Sequence, residues 1–132
     1  MSLDIYAERL IQYYEHPHNK GKLADASISM HEENVSCGDS ITVYLKIKDN
    51  KIEDVKFEGN GCAITIASSS MITDFIKGKS LQEIEKTGVN TVIDIIGLDP
   101  GPARLHCATI SMRAIKLTDY VNKGTHNKRM EI

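Results

Sequence analysis

The sequence predicts an α+β domain, a small three-stranded antiparallel sheet packed against an N-terminal helix and several C-terminal helices. Three observations predict it. Apolar residues recur at helical spacing over 3–15 and again beyond residue 62. Between them, apolar and polar residues alternate with period two, as half-buried strands require. The strands fall in one block instead of alternating with helices, which argues against repeated βαβ units.

A chain of 132 residues is one domain with room for a core that needs no disulfides. The expected domain spans 1–124, followed by a polar tail over 125–132. A net charge of -2 speaks against a generic nucleic-acid binder, which needs a basic surface to neutralise phosphates. No apolar run approaches the roughly 20 residues that span a bilayer. Asp4 and Glu8 are out of place in a signal or transit segment, so the expected location is the cytoplasm. Three cysteines, an odd number without framework spacing, read as reduced thiols.

The first element is an amphipathic helix. Leu3, Tyr6, Ala7, Leu10, Tyr13 and Tyr14 form its apolar side, and Pro17 stops it by excluding His16 from helical geometry. His16-Pro17-His18-Asn19 is then a polar surface turn. Ile28 and Met30 alternate with serines and His31, which suggests a short edge strand. Ile41, Val43, Leu45 and Ile47 make a clear half-buried strand. Asp49-Asn50 turns the chain into a partner strand over 51–58, where Ile52 is out of phase with Val55 and Phe57 and predicts a bulge. Gly59-Asn60-Gly61 is expected to break the sheet, and Cys62 to begin a helix that ends at Lys77-Gly78. The small Ser68-Ser69-Ser70 run suits close packing. Ser80-Leu81-Gln82-Glu83 is a capping box, and Asn90 is the expected cap of a further helix. Asp99-Pro100-Gly101-Pro102 then leads to His106-Cys107, which opens the last long helix, ending near Lys123-Gly124.

The chemistry sits at the edges of these elements. Cys37 precedes the second strand in Cys37-Gly38-Asp39, where thiol and carboxylate project the same way if the strand is already extended. Cys62 lies at a helix N-terminus, where unpaired amides and the helix dipole favour the thiolate. Cys107 follows His106. Cysteines that merely fill space scatter through cores; these three all sit at boundaries. Thiolates joined by an imidazole or a carboxylate are ligands for zinc or for iron–sulfur chemistry. Without paired C-x-x-C spacing, the ligands come from separate loops. A Cys-His nucleophile is the competing reading. It is disfavoured because adjacent helical residues point about 100° apart, which sets His106 badly for Cys107.

These motifs, in this order, resemble the IscU family of iron–sulfur cluster assembly scaffolds, which shares its domain with the N-terminal part of NifU. The resemblance covers about residues 3–123. It runs through Tyr14-Glu15-His16-Pro17-His18-Asn19-Lys20-Gly21, Cys37-Gly38-Asp39, Gly61-Cys62 with Ile66-Ala67-Ser68-Ser69-Ser70, Lys77-Gly78-Lys79-Ser80 and His106-Cys107. It implies a scaffold or carrier and not an enzyme. Cys37, Cys62 and Cys107 would receive sulfur and iron, with Asp39 or His106 as fourth ligand and Asp39 associated with lability. The implied cargo is iron built into a labile 2Fe-2S cluster, with zinc on the same ligands when no cluster is present. The implied partners are a cysteine desulfurase delivering persulfide sulfur, an iron donor or frataxin-like protein, an electron donor such as ferredoxin, and apo iron–sulfur acceptor proteins. Homodimer formation on cluster binding is among the assemblies to expect, and neither nucleic acid nor membrane is.

Two departures qualify the resemblance. The chaperone-recognition motif L-P-P-V-K is replaced here by Gly101-Pro102-Ala103-Arg104 after Leu98-Asp99-Pro100. Pro102-Ala103-Arg104 with Cys107-Ala108-Thr109 instead resembles the SufU proteins, zinc-dependent sulfur acceptors of a desulfurase. Yet the stretch from Cys62 to Cys107 is too short for the SufU insertion, and His106 stands where those proteins usually carry lysine. A zinc-dependent sulfurtransfer partner is therefore the alternative function, and a structural zinc domain a third.

Overall fold

The computed structural model describes residues 2–35, 38–97 and 99–122. In chain order it comprises α1 (Ser2–Glu15), β1 (Ile28–Asn34), β2 (Asp39–Lys48), β3 (Lys51–Asn60), α2 (Ala63–Ile76), α3 (Leu81–Glu85), α4 (Val89–Ile96) and α5 (Pro102–Asn122). The strands form one antiparallel sheet in the order β1-β2-β3, as the sequence predicts. The expected tail over 125–132 lies outside the described residues. Among those described, no helix is long and apolar enough to cross a membrane.

Alternation decides which face of the sheet is covered. Val43 pairs with Phe57 and Leu45 with Val55, and all four are fully buried or nearly so. The register slips between Lys46, opposite Asp54, and Ile47, opposite Ile52. That bulge brings Ile52 back into phase with the core, where it is buried. The Asp49-Asn50 turn places both residues at positive φ, 54° and 64°, the geometry a two-residue hairpin favours and these short polar side chains tolerate. Ile41, Leu45, Phe57, Ile72, Ile76 and Ile110 are fully buried side chains in one core formed by the sheet, α2 and α5. Each contributes roughly 1.5–3 kcal/mol by leaving water.

The polar turn after α1 ties two elements together. Asn19 Nδ2 donates to Thr73 Oγ1 and to Asp74 Oδ1, both at 2.9 Å, and the His18 amide donates to Ser70 Oγ at 2.6 Å. The His18 ring meets Asp74 at 2.5 Å. On its other side the turn bonds the edge of β3. The Phe57 amide donates to Asn19 O, and the Gly21 amide to Phe57 O, each at 2.8 Å. The three consecutive serines of α2 are all buried, and Ser70 lies where this turn arrives. Ser68 and Ser69 turn their hydroxyls onto Thr65 O, so burial leaves neither unpaired.

Four boundaries differ from expectation. β3 continues through Gly59 to Asn60, because Gly59 permits a close approach to β2. It has φ 149°, and a Cβ there would stand 2.0 Å from Ser40 O. Cys62 is the cap residue before α2 and not part of its first turn. Asn90 lies inside α4; Gly88 precedes that helix, with its carbonyl taking the Val92 amide. α5 starts at Pro102, so His106 and Cys107 fall in its second turn. Proline fits a first helical position because that amide has no helical acceptor. Asp99 steadies the approach by accepting from the Gly101 amide at 2.8 Å.

Replacing Gly59 with alanine forces backbone against backbone, and we expect it to cost about 3 kcal/mol or more. Urea unfolding followed by circular dichroism checks this. A midpoint equal to that of the unaltered chain would show that β2 and β3 can separate there without cost.

Candidate metal centre

Three elements each bring one side chain to a single point. Asp39 opens β2, Cys62 caps α2 directly after β3, and Cys107 projects from the second turn of α5. One carboxylate oxygen and the two sulfurs all lie within 4.8 Å of one another. Asp39 is 3% exposed and Cys107 fully buried, while Cys62 is partly exposed and marks the open side. Ligands around a tetrahedral zinc, with bonds near 2.0–2.3 Å, stand roughly 3.3–3.8 Å apart. The three groups are thus within about 1 Å of a metal-bound arrangement. Soft thiolates with one hard oxygen suit zinc or iron.

The first turn of α2 holds Asp39 in place. The Cys62 amide donates to Asp39 Oδ1 at 3.3 Å, and Thr65 Oγ1 donates to Asp39 Oδ2 at 2.7 Å. A helix N-terminus suits a carboxylate because its leading amides lack helical acceptors. Gly61 lets the two segments meet. A Cβ on it would stand 2.7 Å from Thr65 Cγ2 and 2.9 Å from Asp39 Oδ1.

The Cys62 thiol sits in a field that favours ionisation. Burial pushes the Cys62 thiol up, but the Thr65 hydroxyl, the amides of Thr65 and Ile64, and the Cys107 thiol outweigh it and leave Cys62 below the ordinary thiol value. The amides act as nearby dipoles and close no formal cap bond to the sulfur. The exposed Arg104 guanidinium interacts with both sulfurs through charge and hydrogen bonding. Charge on Cys62, then hydrogen bonding and charge at Cys107, hold Arg104 even more firmly protonated than usual.

Of the five expected ligands, the structure brings together Asp39, Cys62 and Cys107. Cys37 lies outside the described residues. His106 is exposed and lines a different feature, a groove of about 580 Å³ between β1 and α5 with Glu32, Val89, Met112 and Arg113 on its walls. Its ring does not belong to the group of ligands around Cys107. Thr65 and Arg104 were not among the expected site residues. Helical spacing carries the signal for both: Thr65 is three residues beyond Cys62, and Arg104 three before Cys107, so each shares a face with its cysteine.

Comparison with known proteins agrees with this architecture. Residues 5–127 match the family model described as the NifU-like N terminal domain. The chain is 37% identical over 122 residues to the iron–sulfur cluster assembly scaffold protein IscU 1 of Archaeoglobus fulgidus, covering 91% of this chain and 79% of that one. It is 33% identical over 129 residues to the zinc-dependent sulfurtransferase SufU of Bacillus subtilis, covering 85% and 87%. The crystal structure of the N-terminal part of a NifU-like protein from Brucella abortus superimposes with a TM-score of 0.73 over 96% of this chain and 97% of its own. At 22% identity that likeness concerns the fold alone. With nearly its whole length matched, and a fold shared with a NifU-like structural neighbour, the chain belongs to the NifU-like N-terminal domain family, alongside IscU and SufU proteins.

Proposed function

We propose that the protein is a scaffold on which iron–sulfur clusters are assembled and from which they are passed on. The observation that carries this is the convergence of Asp39, Cys62 and Cys107 from β2, the cap of α2 and α5. Cys37, two residues before Asp39, is the third thiolate of the set. Sulfur arrives as persulfide from a cysteine desulfurase. Reducing that sulfur to sulfide takes two electrons, so an electron donor such as a ferredoxin is required beside an iron source. The product is a 2Fe-2S cluster, cargo and not a resident cofactor. Three thiolates and one carboxylate suit cargo, because a hard oxygen binds iron less firmly than a fourth thiolate. Asp39, already among the sulfurs, is the fourth ligand in this reading, whereas His106 would have to turn away from its groove. A reducing cytoplasm keeps the thiols available.

One observation favours a second reading. Arg104 interacts electrostatically with Cys62 and Cys107, and Pro102-Ala103-Arg104, with Cys107-Ala108-Thr109, is the part of the chain that resembles SufU. A zinc-bound sulfur acceptor that stimulates a desulfurase would use the same residues. Anaerobic incubation with iron, cysteine, a desulfurase and a reductant separates the two. The scaffold reading predicts visible thiolate-to-iron charge-transfer absorption. It fails if no such absorption develops while zinc stays bound and desulfurase turnover rises.

Asp39→Ala removes the oxygen ligand, and we expect the cluster to pass several-fold more slowly to an acceptor apo-protein. Equal transfer rates would show that Asp39 does not make the cluster labile. Metal removal is expected to leave the domain folded, because the core of Phe57, Ile41, Leu45, Ile72 and Ile110 is built without the site. Circular dichroism before and after chelation tests this, and loss of most helicity would point to a structural metal.

A further inference from the structure

We infer that Thr65 is the positioning residue of this metal centre, acting through Asp39. The inference rests on the metal-binding reading above and concerns how the chain holds its oxygen ligand ready.

Thr65 is fully buried in the first turn of α2. Its hydroxyl carries one proton and two lone pairs. Thr65 Oγ1 donates that proton to Asp39 Oδ2 at 2.7 Å, and Cys62 Sγ lies 3.5 Å from Thr65 Oγ1. One hydroxyl thus touches two of the three assembled ligands. Asp39, 3% exposed, has little water to orient it. Among the described residues its other donor is the Cys62 amide on Oδ1, and that bond is longer, at 3.3 Å.

The Thr65 bond therefore fixes the rotation of the carboxylate, keeping an oxygen within 4.8 Å of the sulfurs. A buried hydroxyl already bonded to the ligand spares that reorganisation when metal arrives. Hydrogen bonds to ligating carboxylates generally contribute about 10–100-fold in metal affinity. Gly61 shows how closely the chain is fitted here, since a Cβ on it would strike both partners of this bond.

The test is zinc affinity, measured under reducing conditions by competition with a chromophoric chelator. The unaltered chain is compared with T65V, T65A, T65S, D39A and the T65V/D39A pair. We expect T65V and T65A to bind zinc about 10-fold more weakly and T65S to match the unaltered chain. In the D39A background T65V should change nothing further, because its target is gone. Cobalt(II) substitution gives a second readout, with the d–d bands of T65V shifted toward those of D39A. Urea unfolding of the metal-free proteins identifies variants that fail to fold, and T65A stands in should T65V do so. Unchanged zinc affinity in both T65V and T65A overturns the inference. An equal loss from T65V with and without Asp39 overturns it as well, since the effect would then be packing. Failure of the unaltered chain to bind zinc or cobalt would instead defeat the metal-binding reading itself.

Discussion

The seating of the Asp39 carboxylate on the first turn of α2 is the interaction on which the rest of the site depends. It joins the start of β2 to the cap of α2 although 22 residues separate Asp39 from Cys62 in the chain. Burying a carboxylate is costly unless it finds donors, and a helix start supplies them at no loss to its own hydrogen bonding. Gly59 and Gly61 make the junction possible. The first lets β3 run close to β2, and the second keeps side-chain atoms out of the space between Asp39 and Thr65. Cys107 then joins through the packing of α5 on β1, β2 and α2.

The remainder of the fold braces this junction. α2 carries Cys62 at one end, and near the other it receives the turn after α1 through Ser70, Thr73 and Asp74. The same turn closes the edge of β3 through Phe57. A helix fixed from two sides cannot easily slide, so the cap residue stays opposite Asp39. Rigidity in the scaffold and partial exposure at Cys62 are compatible demands, because they fall on opposite sides of the same thiol. The buried side sets geometry, and the open side leaves Cys62 partly accessible, with the exposed Arg104 interacting with its sulfur.

Much of the fold was legible locally. Period-two alternation over 41–47 and helical periodicity over 63–76 identified β2 and α2, and the out-of-phase Ile52 announced the bulge. Boundaries were harder wherever glycine or proline could serve either neighbour. Gly59 read as a strand breaker because glycine usually is one, but here it permits close strand approach. Asn90 read as a helix cap because its side chain suits that role, yet the helix begins at Val89 with Gly88 before it. Pro102 starts α5 a full turn before the His106-Cys107 pair, which changes what each residue of the pair faces.

By itself, the sequence determined the elements, the seat of Cys62 between β3 and α2, and the family these motifs resemble. Tertiary structure decided that Asp39, Cys62 and Cys107 share one point, that His106 lines a separate groove, and that Thr65 and Arg104 attend the thiols. The physical reason is the range over which each signal acts. Periodicity says which face of an element is apolar and needs only neighbouring residues to say it. The separation between an oxygen on β2 and sulfurs at α2 and α5 is set by how three elements pack over a common core, and no local pattern encodes that distance.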